Sequence, residues 1–349
     1  MTGSMAPARL RDVAARAGVS IRTVSNVVNG YAAVSNEKRA RVEEAVKALS
    51  YRPNVLARGL KSGRSGLIAL VVPELDVPYF AELARSVVTV AREYGYTVVI
   101  DQTDGEPDRE RELLHRDGGA ALFDGVILSP LALTRDDLPA FDPARPLVLL
   151  GERVADSTHD HVSIDNVEAA RLATEHLFSI GRTRLAAIGD QPYETGETAQ
   201  LRTAGFVLAH RNRGLEPDPA RVIPRQKFHF SDGAEAMKQL LEQPGGPPDG
   251  VFCFNDLVAM GAIRTILDAG LRVPEDIAVV GFDDIEAGRY QTPSLTTIAP
   301  DRARIARLAV ESIMRHLGEA GKDGGPAAAV ELQAGHSLVI RESTVGRAT

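Results

Sequence analysis

A short run of side chains near the N-terminus has the types and spacing that can read the edges of DNA bases. Arg22 can donate two hydrogen bonds to guanine, Asn26 suits adenine, and Ile21 can pack against the methyl group of thymine. With Thr23, these residues lie at the start and on the outer face of a predicted helix. Their chemistry therefore depends on the elements that would present this helix to a DNA groove.

The surrounding sequence predicts such elements. A first helical pattern runs from Leu10 to Ala17 and stops at Gly18, and Ser20 is placed to cap a second helix from Ile21 to Asn29. This is the spacing of a helix-turn-helix, which lays its second helix in the major groove. The residues predicted to contact DNA in this module are Leu10, Ser20, Ile21, Arg22, Thr23, Ser25, Asn26, Asn29, Ser35 and Arg39.

A third helix is predicted to begin at Ser35, acting as its cap, and to serve mainly for packing, with Arg39 available to phosphates. The alternative interpretation is a small helical bundle with solvated charges. The charge distribution favours the DNA-binding interpretation, because residues 1 to 66 contain 12 Lys and Arg but only 4 Asp and Glu, a net charge of +8. The remaining residues carry −15, so the acidic body would repel a polyanion and confine it to the basic module.

Residues 54 to 66 are predicted to be a hinge helix and linker. The glycine and serine residues that are frequent there indicate a connection between the basic module and the body. The segment is too short to be a stable helix alone, so we expect it to fold only on DNA. Leu60 would then be an apolar wedge for a minor-groove step. The predicted DNA contacts of the hinge are Asn54, Ala57, Arg58, Leu60 and Lys61. The alternative is a flexible linker with one incidental leucine.

Composition indicates a globular protein of the cytoplasm. With 349 residues, 44% of them apolar, the chain can form two or three domains. The lone Cys253 excludes an internal disulfide and a multi-cysteine metal site, and it fits a reducing compartment. No apolar stretch approaches the ~20 residues that cross a bilayer, and the N-terminus lacks the pattern of a secretory signal. We therefore expect no membrane partner.

From Leu67 onward, short β-rich runs alternate with helical patterns, which is typical of parallel sheets flanked by helices. The first series contains GLIALVV, YTVVID, DGVILS and RPLVLLG. After VSIDN the alternation starts again with RLAAIGD, GVFCFND and IAVVGFDD. The predicted fold class is α/β, with an all-α helix-turn-helix domain followed by a body of two doubly wound parallel sheets.

Many strings resemble one known family in order along the chain. DVAARAGVS, TVSNVVNG, YRPN and LARGL are similar to the DNA-binding and hinge segments of the lactose-repressor type (LacI/GalR) family of bacterial transcription regulators. The likeness continues to about residue 342 through PYFAELARSV, FDGVILS, VSIDN, LRTAGF, FNDLVAMGAI, VPEDIAVVGFDD and PSLTTI. It implies a body with the two-lobed fold of periplasmic sugar-binding proteins.

With this resemblance, we expect a DNA-binding domain at 1–53, a hinge at 54–66 and a body at 67–349. The N-lobe would comprise about 67–163 and 299–322, and the C-lobe about 164–298 and 323–345.

Ligands of open α/β sheets bind beyond the carboxyl ends of the strands, where several polar residues of this chain lie. Carboxylates, an amide, an arginine and an aromatic face together suit a polyol, so the expected effector is a small carbohydrate. The predicted effector-binding residues, some of them placed by the resemblance, are Asp76, Tyr79, Phe80, Asp165, Thr198, Arg202, Phe228, Asn255 and Asp283.

Several of these residues also have a simpler interpretation. Asn255 and Asp256 could cap the helix that follows, Asp283 and Asp284 could form a turn, and Phe228 could be a core residue.

The chain also departs from the family pattern. Asn26 stands where many members carry arginine after TVS, so operator rules do not transfer directly. Pro300 and Arg302 occupy positions where some sugar-responsive members contact their ligand, so the effector can differ.

No enzyme motif accompanies these residues. The sequence contains no GxGxxG after a strand, no GxxxxGK, no GxSxG and no HExxH, so we expect neither an enzyme nor a cofactor. For His159 and His161, a position at a sheet edge or in a loop is favoured over a metal site. A solute-binding protein for sugar uptake is the alternative function, and the basic module and the missing signal sequence argue against it.

The sequence therefore predicts a ligand-responsive transcription regulator, a repressor, that binds a near-palindromic DNA operator as a homodimer. A ligand between the lobes would shift their arrangement and thereby the spacing of the two hinges on DNA.

Overall fold

The computed structural model describes residues 8–28, 34–51, 64–114, 122–154, 158–193, 197–319 and 328–346. The chain divides into two compact units, Met1–Ser65 and Gly66–Thr349, each with its own apolar core. The predicted DNA contacts Asn29, Asn54, Ala57, Arg58, Leu60 and Lys61 lie outside the described residues.

The first unit has three helices within its described residues, α1 Leu10–Ala17, α2 Ile21–Val28 and α3 Asn36–Ala48. Their inward faces share one core, in which Val13, Val24 and Val42 are fully buried. The predicted helix-turn-helix is confirmed. Ser35 precedes α3 as expected, but its side chain makes no capping hydrogen bond, and only its carbonyl oxygen joins the helix by accepting the Arg39 N–H at 3.0 Å.

The first sheet of the body consists of β1 Leu67–Val72, β2 Thr97–Gln102, β3 Gly125–Leu128, β4 Leu147–Leu150, β5 Asp160–Ile164 and β11 Glu331–Ala334. Its strands are all parallel and follow the order β11-β5-β4-β3-β1-β2. Strands β3 and β4 are apolar and buried along their whole length, as expected for parallel strands with helices on both faces.

The second sheet consists of β6 Leu185–Asp190, β7 Val222–Pro224, β8 Gly250–Cys253, β9 Ala278–Phe282, β10 Thr296–Pro300 and β12 His336–Val339. The order is β12-β10-β9-β8-β6-β7. Strand β12 runs antiparallel to β10, so the second sheet is mixed rather than wholly parallel as predicted. The reason is that β12 follows β11 directly after Gly335 and enters the second sheet beside Pro300, at the carboxyl end of β10, so it runs back along β10 in the opposite direction.

The helices of the body are α4 Pro78–Glu93, α5 Pro107–Leu114, α6 Asn166–Ser179, α7 Glu197–Arg211, α8 Phe230–Leu241, α9 Asp256–Asp268, α10 Glu286–Tyr290, α11 Arg302–Glu319 and α12 Glu342–Val345, with short 3₁₀ turns at Leu138–Ala140 and Pro219–Arg221. Helices α4 and α11 pack against each other and belong to the first sheet, while α6 to α10 and α12 belong to the second. We call these two halves of the body the first lobe and the second lobe.

The chain passes between the lobes after β5, after β10 and at Gly335. The expected C-lobe included residues 323 to 345, whereas Glu331–Ala334 pairs with β5 in the first sheet. This pairing is held by parallel backbone hydrogen bonds and by Glu331, whose Oε2 lies 2.5 Å from the Nδ1 of His161. The last passage between the lobes is therefore later than predicted.

His159 lies in a bend before β5, as the sequence suggested, but His161 is buried in β5 between β4 and β11, next to the buried Asp160. The Asp160 carboxylate binds the Arg315 guanidinium of α11 at 2.6 Å, which explains how a charge is accommodated there. Among the described residues, no helix is both long enough and apolar enough to cross a membrane.

Candidate functional site

The turn between α1 and α2 is built by three residues. Gly18 ends α1 in the left-handed conformation at φ +62°, and a Cβ atom there would lie 2.6 Å from a guanidinium nitrogen of Arg41. Arg41, from α3, donates to the carbonyl oxygens of Ala17 and Gly18 at 2.6 and 2.9 Å. Ser20 caps α2, because its hydroxyl accepts the Thr23 N–H at 3.1 Å. The predicted stop at Gly18 and cap at Ser20 are both present.

Helix α2 has one face in the core and one face open to solvent. Val24 and Val27 are buried, whereas Ile21 is 54% exposed and Arg22 is exposed as well. Because the side chain of Ile21 is not part of the core of the first unit, it is available to pack against a base. Of the other predicted DNA contacts, Ser20 and Ser35 are exposed, and the half-buried ones are Leu10, Thr23, Ser25, Asn26 and Arg39.

Among the described residues, clefts lie between the lobes at the carboxyl ends of the strands, and two of them are lined by polar groups of both lobes. The larger, about 550 Å³, is lined by Glu152 and Arg153 from the first lobe and by Glu197 and Gln200 from the second. The smaller, about 430 Å³, lies between residues of the first lobe that include Asp76 and residues 227 and 229 of the second. Polar groups from both lobes at strand ends are the usual setting of a small-molecule site in such folds.

Arg202 of α7 lies beyond the end of β8 in the second lobe and is not among the lining residues of either cleft. It is buried, its Nε donates to Asn166 Oδ1 at 2.8 Å, and a terminal nitrogen donates to the Phe254 carbonyl oxygen. The guanidinium carbon lies 3.5 Å from the centre of the Phe282 ring. Burial lowers the pKa of Arg202, and the Asp283 carboxylate opposes that shift. Arg202 is thus held rigidly by the second lobe.

Asp283 is the carboxylate that faces Arg202, directly after β9. It is buried, and burial raises its pKa to about 7 although Arg202 and Arg302 both lower it. Its backbone has φ +114°, a conformation that side-chain-bearing residues rarely adopt. No residue in the described part of the chain donates a hydrogen bond to this carboxylate. A carboxylate that no described residue supplies with a donor, near a fixed arginine, is suited to a ligand that brings its own donors.

Tyr79 and Phe80, in the first turn of α4, extend the site into the first lobe. Their rings make an edge contact at 5.3 Å between centroids. Burial raises the pKa of Tyr79, and so does the nearby Asp283 carboxylate. Tyr79 therefore stays a neutral hydroxyl that can donate to a ligand, as its predicted role requires.

Other predicted effector residues already serve the fold. Asn255 caps α9, because its Oδ1 accepts the Val258 N–H at 2.8 Å, while its Nδ2 donates to the Phe228 carbonyl oxygen at 2.9 Å. Asp165 caps α6 by accepting the Glu168 N–H at 2.8 Å and is exposed. The interpretation of Asn255 as a helix cap is therefore correct, whatever else this amide binds.

The remaining predicted effector residues, Phe228, Thr198 and Asp76, range from half-buried to exposed. Phe228 is half-buried and packs against the apolar cores on both faces of the second sheet, so its interpretation as a core residue holds for part of the ring. Thr198 is half-buried in the first turn of α7, and Asp76 is exposed beside the smaller cleft.

Glu152 and Asn166 are connected to Arg202 by hydrogen bonds but were not among the residues predicted from the sequence. Glu152 follows β4, and burial raises the pKa of its carboxyl group. Its Oε1 accepts from the Asn166 amide at 2.6 Å, and Asn166 in turn binds Arg202. The rule that ligand groups follow parallel strands would have found Glu152, because it comes just after the run RPLVLLG.

Comparisons with known proteins bear on both parts of the chain. Residues 9–54 match the model of bacterial regulatory proteins of the lacI family, and residues 174–344 match a periplasmic binding protein-like domain. The chain is 32% identical to the HTH-type transcriptional repressor PurR of Haemophilus influenzae (strain PittEE), over 96% of this chain and 98% of that protein.

Two further proteins resemble the chain over most of its length. It is 34% identical to the ribose operon repressor of Escherichia coli (strain K12), over 89% of this chain and 93% of that protein. Among solved structures, the lac repressor dimer bound to operator and the anti-inducer ONPF aligns with a TM-score of 0.81 and 28% identity, over 97% of this chain and 99% of that one.

Proposed function

The chain belongs to the lacI family of bacterial regulatory proteins, and we propose that a small carbohydrate bound between its lobes sets its affinity for a DNA operator. It is a DNA-binding transcription regulator, a repressor, and not an enzyme. The observation that carries the proposal is the Asp283 carboxylate near Arg202, to which no described residue donates a hydrogen bond, in the same chain as a helix-turn-helix with an exposed reading face.

For DNA recognition, we propose that Ile21, Arg22 and Asn26 of α2 contact base edges in the major groove. The exposure of Ile21 and Arg22 supports this assignment. Ser20, Thr23, Ser25, Ser35 and Arg39 would contact phosphates, which position the module without reading sequence. We propose that the protein is located in the bacterial cytoplasm, because a transcription regulator must reach the chromosome.

Replacing Arg22 with alanine is expected to weaken operator binding by about 1 to 3 kcal/mol and to relax the preference at one base pair. The reason is that one arginine can make two hydrogen bonds to one guanine. Affinities for a library of single-base operator variants measure this. Arg11→Ala is the matched control, since Arg11 is an exposed arginine of α1. A uniform loss of affinity in R22A, with base preferences unchanged, would contradict base reading.

For the effector, we propose a neutral polyol that donates hydroxyl hydrogens to Asp283 and accepts from Arg202 and Tyr79. The ring of Phe228 would cover the apolar side of a sugar, and Phe80, Asp76, Asp165, Thr198 and Asn255 would complete the surroundings. The name of the ribose operon repressor supports a sugar as the class.

A thermal-shift screen of the full chain tests this class directly, because a ligand that binds only the folded state raises the unfolding temperature by mass action. The panel contains pentoses, hexoses, disaccharides, nucleosides and purine bases. A concentration-dependent rise with a sugar supports the proposal. Shifts with purine bases alone would replace the polyol with a flat nitrogenous ligand at the same site.

We also propose that the chain acts as a homodimer, because a near-palindromic operator requires two symmetric reading helices. The relative in the aligned structure is a dimer. In this chain, β2 is the outer strand of the first sheet, and its Val99 and Ile100 are each 40% exposed. Apolar side chains on an open sheet edge favour pairing with another surface.

Replacing Ile100 with lysine is therefore expected to shift the protein from dimer to monomer in sedimentation velocity at micromolar concentration, since a charge would have to be buried in the interface. Leu215→Lys is the control, because Leu215 is 47% exposed but lies in the second lobe after α7. A variant I100K that sediments as the wild type does would exclude β2 from the interface.

A further inference from the structure

Two side chains of the first lobe reach the turn that carries Asp283. Arg302, the first residue of α11, donates through its guanidinium to the carbonyl oxygens of Asp283 and Asp284, the latter at 3.1 Å. The same guanidinium lies 2.9 Å from a carboxylate oxygen of Glu82 on α4. The other oxygen of Glu82 accepts the backbone N–H of Glu286, at the start of α10, at 3.0 Å.

These contacts join the lobes. Helices α4 and α11 pack on the first sheet, whereas Asp283, Asp284 and Glu286 follow β9 of the second sheet. The side chains of Arg302 and Glu82 are 15% and 30% exposed, so water and salt screen this pair less than a surface pair. Partly buried, charge-assisted hydrogen bonds are among the stronger ones in proteins.

The turn at the centre of these contacts has an unusual backbone. Asp283 and Asp284 have φ of +114° and +51°, which is costly for residues other than glycine and persists only when neighbours hold it. The Asp284 carboxylate is bound by Arg289 and Arg341 of the second lobe, each at 2.6 Å. Arg302 stabilises this backbone conformation from the first lobe, because it binds the two carbonyl oxygens of the turn.

We propose that Glu82 and Arg302 form an interlobe clasp, which holds the lobes at one separation and fixes the turn that bears Asp283. Both are positioning residues. The consequence for effector control rests on the proposed function of Asp283, but the clasp itself does not. Tyr79 and Glu82 lie one turn apart on α4, so a ligand at Tyr79 and Asp283 acts on the helix that bears the clasp. The clasp thereby links occupancy of the site to lobe separation.

The test measures lobe separation in the full chain without effector or operator. Spin labels at Asp108→Cys and Leu215→Cys, one in each lobe, report the interlobe distance, since both sites are exposed and the native Cys253 is fully buried. Labelled chain is diluted into an excess of unlabelled chain so that distances within one chain dominate. Glu82→Gln keeps an acceptor for Glu286 but removes the charge that holds Arg302. We expect it to shift the equilibrium between lobe separations by about tenfold.

Glu93→Gln is the matched control. Glu93 also lies on α4 and also pairs with an arginine of α11, Arg307 at 3.2 Å, but this pair stays within the first lobe. Arg302→Lys is a second variant, which keeps the charge but cannot bind Glu82 and both carbonyl oxygens at once.

A shifted or broadened distance distribution in E82Q and R302K, with E93Q like the wild type, supports the clasp. An E82Q distribution that overlaps the wild type, or equal shifts in E82Q and E93Q, overturns it. Because neither DNA nor ligand is present, these outcomes are independent of whether the proposed effector class is correct.

Discussion

Replacing Asp283 with asparagine is expected to weaken effector binding by about a hundredfold, because the carboxylate is the buried acceptor for which the ligand supplies donors. Asparagine keeps the size of the side chain but offers one acceptor oxygen in place of two and places an amide N–H₂ toward the ligand. Isothermal titration with the ligand identified by the thermal-shift screen measures the loss. Asp268→Asn, on the exposed surface of the same lobe, is the control and should bind as the wild type does.

The same substitution should stabilise the ligand-free protein at alkaline pH. The pKa of Asp283 is about 7 in the folded protein against 3.8 ordinarily, so the folded state holds this proton more tightly than the unfolded state. Stability from this group is therefore lost as pH rises from about 4 to about 7. The Asp283→Asn variant lacks this loss, so its advantage in free energy of unfolding should grow over that range and level off above it.

Urea unfolding at pH 4.5 and at pH 8 tests the expectation. A variant D283N that is less stable than the wild type at pH 8 would mean that the carboxylate is well paired in the ligand-free state. Its proposed role as an acceptor for the donors of the effector would then be wrong. Opposite effects of one substitution on binding and on stability are the pattern expected of a functional residue held at a cost to the fold.

Deleting residues 1 to 65 is expected to lower affinity for the operator by at least about a thousandfold, to the level of nonspecific binding or below. The excised segment holds the reading helix and a local charge of about +8, while the body that remains is strongly acidic. Fluorescence anisotropy with operator DNA measures the loss. A truncated chain that keeps specific binding would contradict the assignment of DNA recognition to α2.

The truncated chain should still fold and bind the effector with unchanged affinity. It forms a compact unit of its own, with two sheets and continuous apolar cores that do not involve the first unit. Ligand titration of the truncated and full chains therefore separates the two functions. A solute-binding protein, the alternative function, would show ligand binding in both chains and specific DNA binding in neither.

The local features of this fold were predictable from short stretches of sequence. Gly18 and Ser20 mark the ends of α1 and α2 because a left-handed residue and a capping hydroxyl act within a few positions. The alternation of apolar runs and helical patterns predicts the strands for the same reason, since burial on both faces leaves a continuous apolar run. The rule that ligand groups follow parallel strands selects Asp283 as a candidate for the effector site, which stays a prediction.

Contacts between distant segments were less predictable. The placement of Glu331–Ala334 beside β5 depends on which sheet has a free edge, and that is a property of the assembled lobe. Arg302 was noticed only as a departure from the family pattern, and Glu82 was not singled out. Their pairing across 220 positions of chain follows from the packing of α4 on α11, which no local periodicity encodes. Local sequence can also be ambiguous. The position of Asn255, directly after a strand and before a helix, fits both a ligand contact and a helix cap.

In the proposed function, a small molecule bound between the lobes changes the affinity of the helix-turn-helix for DNA. The most direct measurement is the dissociation constant of the full chain for an operator selected from random DNA, with and without a saturating concentration of the ligand found by thermal shift. We expect the dissociation constant to change by at least about tenfold in the wild type and not to change in the Asp283→Asn variant at the same ligand concentration. An operator affinity that is identical with and without bound ligand would contradict it.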